Sequence, residues 1–321
     1  VRMARLFTGR QKILSRYRSY HGGTNLTMQL TGDPRRWASE PGGPGFIRVM
    51  DPIPYGFSFG QTDAERTEAH LRYLEEVIAY EGPQTIAAMV VETVIGTNGV
   101  LPPPAGWLQG LRRLLDRHGI LLICDEVMCG FGRTGKMFAF EHYDVVPDLF
   151  TMAKGLTSSY LPLGAVGLTD KVAAYFQDHV YWGGLTYNSH PLCCAAAIAV
   201  IEVMRDEGMV ENAARLQPVM RAEMARLAAK HPSVLDHRAL GLFGIIELRK
   251  NAAGEPLAPY NGSHPAMSKL AAFFRAEGLF TFVRWNNFMC NPPLCITEDQ
   301  LREGFAIIDR ALEITDAAFE G

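Results

Sequence analysis

Short, uninterrupted apolar runs alternate with helix-like segments in the first half of the chain. Residues 86–91, 120–124 and 149–152 are apolar almost throughout, as the strands of a parallel sheet buried on both faces are. Residues 104–118, between the first two runs, have the periodicity of an amphipathic helix, and so do residues 64–80 before them. Strand, helix and strand in this order predict a right-handed, parallel βαβ arrangement.

The flanking segments are less regular. Residues 12–18 alternate as a strand does, and residues 27–60 are rich in Pro and Gly, which predicts a long loop region of the kind that lines active-site mouths. Residues 161–167 predict a turn and a further strand, and residues 191–204 predict an apolar helix that leads out of the first domain. A smaller α+β region follows, with helices predicted over residues 210–230, 265–277 and 297–319 and strands over residues 241–248 and 279–284.

A carboxylate and an amine follow two of the predicted strands. Asp125 comes directly after the run 120–124, and Lys154 holds a similar position after the run 149–152. Open α/β sheets place ligand-binding groups at the carboxyl ends of strands, so the two residues predict one site. A buried aspartate needs a cation or a proton, and a desolvated lysine becomes nucleophilic. Pyridoxal phosphate needs this pair, an amine for its aldehyde and an acid for its ring nitrogen; an ordinary structural Lys–Asp ion pair is the alternative.

Residues 130–135 match G-x-G-x-x-G, the dinucleotide-binding pattern. That pattern requires its glycines directly after a strand and directly before a helix. Here Asp125 and Glu126 intervene first, and residues 136–146 show no clear helical stripe. A dinucleotide site is therefore not expected.

Composition narrows the class of protein. A chain of 321 residues, with 48% hydrophobic and 20% charged residues, is long enough for about two domains and is ordinary for a globular enzyme. Its net charge of −3 gives no reason to expect nucleic acid or a membrane surface as a partner. The six cysteines show neither a CxxC pair nor metal-ligand spacing, which favours free thiols in a reducing compartment and no metal site. No apolar run is long enough to span a bilayer and no signal peptide is visible, so we expect a cytoplasmic protein.

Residues 125–135, Asp-Glu-Val-Met-Cys-Gly-Phe-Gly-Arg-Thr-Gly, are followed by Ala-Lys-Gly-Leu at residues 153–156. This long, ordered match resembles the signature of class III aminotransferases, which are fold-type-I pyridoxal-phosphate enzymes. The resemblance implies an α/β fold, with a large cofactor-binding domain over residues 1–204, built on a mostly parallel sheet flanked by helices, and a smaller α+β domain over residues 205–321. It also implies a preceding segment with a phosphate-binding turn, which the sequence from Val1 onward does not supply; we therefore expect a fragment or an incompletely recorded chain.

The same resemblance assigns roles around pyridoxal 5'-phosphate. Lys154 attaches the cofactor covalently and transfers protons, and Asp125 keeps the ring nitrogen protonated. Tyr20 lies on one face of the ring, where a flat π-system stacks well. His21 lies beside it, with an ordinary turn histidine as the alternative. Val127 is assigned to the cofactor site as well.

Three further residues complete the implied site. Glu92, at the end of the run 86–91, forms hydrogen bonds near the cofactor and substrate and pairs with an arginine in the resting state. Thr186 reaches the cofactor phosphate of the partner subunit, which makes the active unit at least a homodimer. Arg284 binds the acidic group of the substrate, next to Tyr20 and Glu92, since a guanidinium suits carboxylate or sulfonate geometry. The alternatives are a strand-end carboxylate in water, an ordinary turn threonine and a surface arginine.

The implied activity is ping-pong transfer of an amino group, through Lys154, from an ω-amino acid or amine to a keto acid. Residues 15–22 and 292–296 look most like enzymes with taurine, β-alanine or GABA-type donors and with pyruvate or 2-oxoglutarate as acceptor. Arg284, Arg16 and Arg18 are compatible with anionic donors. The shared motif leaves open an aminomutase, racemase or decarboxylase of the same class, or a non-catalytic fragment.

Overall fold

A computed structural model describes residues 1–321 of the chain. The chain forms two compact units, Val1–Phe131 with Phe138–Met204, and Gly132–Met137 with Arg205–Gly321. This division into compact units says nothing about the predicted functions of residues 1–204 and 205–321. A cofactor-binding domain and a smaller C-terminal domain with these bounds stay predictions.

The first unit contains a six-stranded sheet. Its strands are β1 (Lys12–Arg16), β2 (Phe46–Val49), β3 (Ile86–Glu92), β4 (Leu121–Asp125), β5 (Leu149–Met152) and β6 (Ala165–Leu168). They lie in the order β2-β1-β3-β4-β5-β6, and every neighbouring pair is parallel except β5 with β6. All residues of β3 and β4 are buried, which is why their sequences are unbroken apolar runs. The mostly parallel sheet expected from the sequence is confirmed.

Six α-helices begin before residue 207. They are α1 (Arg2–Thr8), α2 (Asn25–Leu30), α3 (Asp63–Glu81), α4 (Trp107–Arg117), α5 (Asp170–Asp178) and α6 (Pro191–Asp206). Helix α3 begins at a capping box in which the side chains of Thr62 and Glu65 each bind the other residue's backbone amide. Leu74 and Ile78 of α3 and Leu111 of α4 pack in one core cluster with side chains of β3 and β4. The helices predicted over residues 64–80, 104–118 and 191–204 are confirmed, whereas α2 and α5 are not predicted by the sequence pattern.

The prediction of a loop over residues 27–60 is wrong for part of this stretch. This stretch contains most of α2, a 3₁₀ turn at Pro34–Ser39 and the strand β2, which pairs in parallel with β1. Strand β2 is four residues long and mostly half-buried, so it shows neither a continuous apolar run nor a full alternation. Hydrogen bonds to a strand distant in sequence fix its place, and local patterns do not report such pairing.

The second unit combines three helices with a four-stranded antiparallel sheet. Its elements are α7 (Met209–Lys230), β7 (Val234–Leu240), β8 (Phe243–Leu248), α8 (Pro265–Ala276), β9 (Val283–Arg284), β10 (Asn287–Cys290) and α9 (Glu298–Asp316). The three predicted helices and the strand β8 are confirmed, and the predicted strand 279–284 is reduced to β9. Strands β7 and β10 are missed. The charges in the middle of β7 interrupt the apolar pattern, because Arg238 lies on a half-exposed face and pairs with Glu247 of β8.

The six cysteines are all free thiols. Cys124, Cys129 and Cys290 are buried, and burial raises the pKa of Cys290 to about 12, so these thiols pack as small apolar groups. None of the helices has both the length and the hydropathy that crossing a bilayer requires. No three side chains of the His, Cys, Asp or Glu type are grouped so as to hold a metal ion.

A buried histidine connects the end of α7 to α9. His231 is 1% exposed; its Nδ1 lies 2.6 Å from Oδ2 of Asp316, and its Nε2 lies 2.9 Å from Oδ1 of Asp309. Asp309 also accepts hydrogen bonds from Arg226 and Lys230. Burial raises the pKa of Asp309, but the hydrogen bonds from Lys230, Arg226 and His231 outweigh burial and hold that pKa well below its usual range. The cluster therefore stabilises the second unit when Asp309 is ionised.

We expect Asp309→Asn to lower the free energy of unfolding by about 2 kcal/mol at neutral pH, because it removes a charged partner from the buried His231. A depressed folded-state pKa adds stability above the unfolded pKa of about 3.9, and this stability is lost as the pH falls through the folded value. The difference between wild type and variant should therefore shrink in acid, which urea unfolding over a pH series measures. Asp206→Asn, in an exposed pair with Arg205, is the control; equal losses from both substitutions would contradict the analysis.

Candidate active site

The carboxyl ends of β3, β4 and β5 bring the predicted acids and the predicted amine to one edge of the sheet. Glu92 and Asp125 are register partners on β3 and β4, and Asp125 is also the register partner of Thr151 on β5. Lys154 follows β5 as the first residue of a 3₁₀ turn, Lys154–Leu156. Because parallel strands end at the same edge, Glu92, Asp125 and Lys154 belong to one site.

The Asp125 carboxylate is held by two hydrogen bonds. Oδ2 accepts a hydrogen bond from Nδ1 of His21 at 2.7 Å, and Oδ1 accepts one from the backbone amide of Val127 at 3.1 Å. Asp125 is 6% exposed and the His21 side chain is 3% exposed, so both groups are nearly withdrawn from water. The other nitrogen of His21, Nε2, is buried without a partner. His21 therefore orients the carboxylate and is not merely a turn residue.

The predicted arginine partner of Glu92 is wrong. The Glu92 carboxylate instead accepts hydrogen bonds from the backbone amides of Tyr20 at 2.9 Å and of Gly96 at 2.7 Å. A Cβ at position 96 would force the end of the Met128 side chain to move and would crowd the Glu92 carboxylate, so the glycine leaves room for this contact. Burial raises the pKa of Glu92, and the two amide donors oppose that rise. Glu92 thus fixes the segment that contains Tyr20 against the edge of the sheet.

The amine of Lys154 makes no hydrogen bond or ion pair with the chain. Although the residue is exposed, the protein around the amine desolvates it and lowers its pKa, while the carboxylates of Glu92 and Asp125 act in the opposite direction. The backbone of Lys154 has a φ of 44°, in the left-handed region that side-chain-bearing residues rarely occupy. Strained backbone of this kind concentrates at functional sites. The structure therefore presents an amine that is accessible and without a partner.

Arg16 and Arg18 do not offer a free charge to a substrate. Nε of Arg16 lies 3.5 Å from Oδ1 of Asp51, and Nη2 donates a hydrogen bond to the carbonyl oxygen of Glu92 at 2.5 Å. Arg18 donates two hydrogen bonds to the carbonyl oxygen of Asn98, at 3.2 and 2.7 Å. Both arginines are buried, so they support the site and are not available to an anionic donor.

Two further site residues, Thr186 and Arg284, are predicted from the resemblance. Thr186 is exposed in a turn that precedes α6 and has no hydrogen-bond partner in the chain. Arg284 belongs to the second unit, in β9, where its guanidinium carbon lies 4.0 Å from the centre of the Trp285 ring. Their expected roles at the phosphate and at the substrate stay predictions.

Glu126, for which the sequence predicts no role, is fully buried next to Asp125. Its carboxylate accepts hydrogen bonds from the Thr93 hydroxyl at 2.5 Å and from the backbone amides of Ala139 at 2.8 Å and Phe140 at 3.3 Å. Burial raises the pKa of Glu126 to about 7 despite these donors. Glu126 thus holds the loop after Asp125 in place, and a second acid directly after a strand is the one signal of it in the sequence.

Comparison with known proteins gives matches along nearly the whole chain. The family model described as aminotransferase class-III matches residues 1–312. The structure is similar to that of a taurine:2-oxoglutarate aminotransferase from Bifidobacterium kashiwanohense, solved in complex with PLP and glutamate. That match has a TM-score of 0.94 and 42% identity, and it covers 98% of this chain and 72% of the other.

Curated relatives agree with the family match. A taurine–pyruvate aminotransferase from Bilophila wadsworthia is 36% identical over 323 residues, which is 96% of this chain and 69% of the relative. The mitochondrial gamma aminobutyrate transaminase 1 of Solanum lycopersicum is 32% identical over 323 residues, which is 97% of this chain and 61% of the relative. The chain therefore spans about two thirds of the length of these relatives.

We expect Glu126→Gln to destabilise the first unit by about 2 kcal/mol, because an NH₂ group then faces backbone and hydroxyl donors. A folded-state pKa raised from 4.5 to about 7 makes wild-type stability fall as the pH rises across that range, whereas the variant lacks this dependence. The loss should therefore be larger near pH 5 than near pH 8 in urea unfolding. Glu76→Gln, at an exposed position of α3, is the control; a loss independent of pH would contradict the raised pKa.

Proposed function

The chain belongs to the class-III aminotransferase family, and from this premise we propose that it is a pyridoxal-phosphate-dependent aminotransferase. It moves an amino group from an ω-amino acid or amine, of taurine, β-alanine or GABA type, to a keto acid such as pyruvate or 2-oxoglutarate. The observation that carries the proposal is the convergence, at adjacent strand ends, of a Lys154 amine without a partner and an Asp125 carboxylate held by two hydrogen bonds.

The residues present fit the cofactor. Lys154 offers an amine that no ion pair consumes, and Asp125 offers an oriented carboxylate for a protonated ring nitrogen. Tyr20 and Val127 are held next to this pair, Tyr20 by Glu92 and Val127 by Asp125 itself. When bound, pyridoxal phosphate supplies an electron sink for the electron pair released at the donor carbon.

Lys154 is the base of the proposed reaction. Its Nζ takes the proton from the donor carbon that bears the amino group, and it later returns a proton. A lowered pKa increases the fraction of neutral amine, which is the form that accepts a proton. Asp125 stabilises the protonated ring nitrogen through its charge, and His21, at 2.7 Å, keeps the carboxylate in one orientation.

The donor class rests on the relatives and on the reaction type. The relatives from Bifidobacterium and Bilophila are named for taurine, and the tomato relative is named for gamma aminobutyrate. A ping-pong order follows if the enzyme keeps the amino group between the departure of the first product and the arrival of the keto acid. An aminomutase, racemase or decarboxylase would use the same Lys154 and Asp125, and stoichiometric amino transfer separates the first proposal from these.

We also propose that the active form is at least a homodimer, with Thr186 at the cofactor phosphate of the partner subunit. Thr186 is exposed, and Trp182 and Tyr187 beside it in the sequence are 76% and 80% exposed. Leu192 and Ile198 of α6, 62% and 58% exposed, continue this apolar surface. Large exposed apolar surfaces of this kind mark interfaces. Six free thiols support a reducing, cytoplasmic location.

A panel of amine donors with pyruvate or 2-oxoglutarate, added to purified protein supplied with pyridoxal phosphate, tests the proposed function. We expect alanine or glutamate to form in amounts equal to the aldehyde or ketone produced from the donor. Lys154→Ala should lower the rate by at least about 10³-fold, because the base is lost. Borohydride reduction and mass spectrometry should find the cofactor attached to Lys154 in the wild type and unattached in the variant. Attachment without amino transfer would favour the other class-III reactions, and absence of attachment would refute the proposed site.

We expect Asp125→Asn to lower turnover about 10²- to 10³-fold while the cofactor stays bound, because a neutral amide does not stabilise a charged ring nitrogen. The measurements are kcat with the best donor of the panel and the absorbance of the bound cofactor. Asp178→Asn, at the exposed end of α5, is the control. Turnover close to that of the wild type would count against the role of Asp125.

A further inference from the structure

The turn that contains Lys154 departs from ordinary backbone geometry at several residues. Lys154 has a φ of 44°, and Ser158 and Ser159, which follow in the same turn, have φ values of 47° and 65°. Residues with a side chain are unfavourable in this left-handed region. Such a conformation persists only where the surrounding structure determines it. The contacts of this turn with its neighbours therefore decide how the Lys154 amine is presented.

One of these contacts is very close. Gly155, directly after Lys154, lies against Phe131, and a methyl group on Gly155 would be 2.8 Å from the Cβ of Phe131 and 3.3 Å from the first carbon of its ring. Cβ atoms in proteins do not come so near to other heavy atoms, so glycine alone fits here unless Phe131 moves. The φ of Gly155 is outside the left-handed region. The space that Phe131 takes, and not the backbone angle, therefore requires glycine at this position.

Phe131 is itself held in an unfavourable conformation. Its φ is 54°, although it lies between Gly130 and Gly132, and a bulky residue in this region is an outlier. Glycine would adopt the same backbone readily. Phe131 is 5% exposed, and its ring meets that of Phe138 edge-on, with 5.5 Å between the ring centres. A phenylalanine where glycine is easier indicates that the side chain itself contributes, and its close contact is with Gly155.

The loop that contains Phe131 is anchored at the ends of two strands. The Gly130 amide donates a hydrogen bond to the carbonyl oxygen of Glu126 at 2.8 Å, and the Glu126 amide donates one to the carbonyl oxygen of Thr151 at 3.0 Å. These bonds tie the loop after β4 to β5, the strand that leads to Lys154. Phe131 therefore approaches Gly155 from a loop with a fixed position.

The conformation of Lys154 matters because two carboxylates act on its amine. The charges of Glu92 and Asp125 raise the pKa of Lys154, but burial lowers it by more, and the amine makes no hydrogen bond or ion pair with the chain. An amine that could move freely would gain by pairing with a carboxylate. A backbone that prevents this pairing leaves the amine available to a ligand.

We propose that Phe131 is a positioning residue for Lys154: its side chain packs against Gly155, and this contact holds the Lys154 backbone in the left-handed conformation that keeps the amine unpaired. The inference rests on the proposed aminotransferase function and deepens it, because it assigns the base a support made of apolar packing. Without the Phe131 ring the turn relaxes, and the amine pairs with a carboxylate or meets more water. Both changes raise the pKa of Lys154 and lower the fraction of neutral amine.

Labelling of the lysines in Phe131→Ala tests this role without turnover. The full chain, dialysed free of small molecules, is methylated with a trace of formaldehyde and cyanoborohydride, and mass spectrometry compares Lys154 with the exposed Lys171. We expect the labelling of Lys154 relative to Lys171 at pH 8 to fall about 3- to 10-fold, because the amine is more often protonated. Phe131→Leu keeps part of the apolar surface and should show a smaller fall. Gly155→Ala displaces the turn from the other side and should also show a fall.

Phe140→Ala is the matched control. It removes a ring from the same aromatic cluster, one that stacks on Phe138 and meets Phe150 edge-on. Urea unfolding establishes that each variant is folded, and Phe131→Leu decides the question if Phe131→Ala does not fold. A fall in Lys154 labelling in the Phe131 and Gly155 variants, with the wild-type value in Phe140→Ala, supports the proposal. An equal fall in Phe140→Ala overturns it, because general loosening would then be the cause, and so does wild-type labelling in the Phe131 variants.

Turnover gives a second measurement on protein supplied with pyridoxal phosphate. Phe131→Ala should lower kcat about 10- to 100-fold and change the KM of the donor by less than about threefold, because a misplaced base slows proton transfer and leaves donor binding intact. A change in KM alone would overturn the role. The labelling needs neither cofactor nor donor. If no amine reacts with the wild type, the proposed function fails and the labelling alone decides the role of Phe131.

Discussion

The hydrogen bond between Asp125 and His21 is the contact on which the geometry of the site depends. A carboxylate that is only 6% exposed is costly unless its oxygens have partners, and here His21 satisfies one oxygen and the Val127 amide the other. The register of β3 and β4 sets Glu92 beside Asp125, and Glu92 in turn binds the backbone amide of Tyr20. Two carboxylates on neighbouring strands therefore bind two consecutive residues of one segment. Glu92 binds the backbone of Tyr20, and Asp125 binds the side chain of His21.

A second set of buried charges supports that segment from the side of β1. Asp51 accepts a hydrogen bond from the backbone amide of Arg18 at 2.6 Å and lies 3.5 Å from Nε of Arg16. Removing one partner of a buried pair leaves the other charge uncompensated, which typically costs about 3–5 kcal/mol. The arginines that look suited to an anionic donor in the sequence are thus committed to the protein itself.

The sequence predicts the central sheet well because parallel strands buried on both faces have unbroken apolar runs, and these runs end at the residues to which the proposed function assigns the chemistry. It predicts contacts badly where the partner is backbone. Nothing in the side chains around Glu92 indicates that its oxygens bind the amides of Tyr20 and Gly96, so the expectation of an arginine partner was wrong. Edge strands β2 and β7 are missed for a related reason, since distant pairing fixes them and their own patterns are weak.

The two consecutive acids at the end of β4, Asp125 and Glu126, have different hydrogen-bond partners. Side chains of successive residues in extended backbone point to opposite faces of a sheet, and the ladder continues past β4 because the Glu126 amide donates to the Thr151 carbonyl oxygen at 3.0 Å. Asp125 accordingly meets His21, whereas Glu126 meets the Thr93 hydroxyl and the amides of Ala139 and Phe140. In the proposed function Asp125 faces the cofactor, whereas the hydrogen bonds of Glu126 hold the loop that follows. Their residue type is nearly the same, so the direction of the side chain, and not its chemistry, separates the acid that His21 binds from the acid that holds the loop.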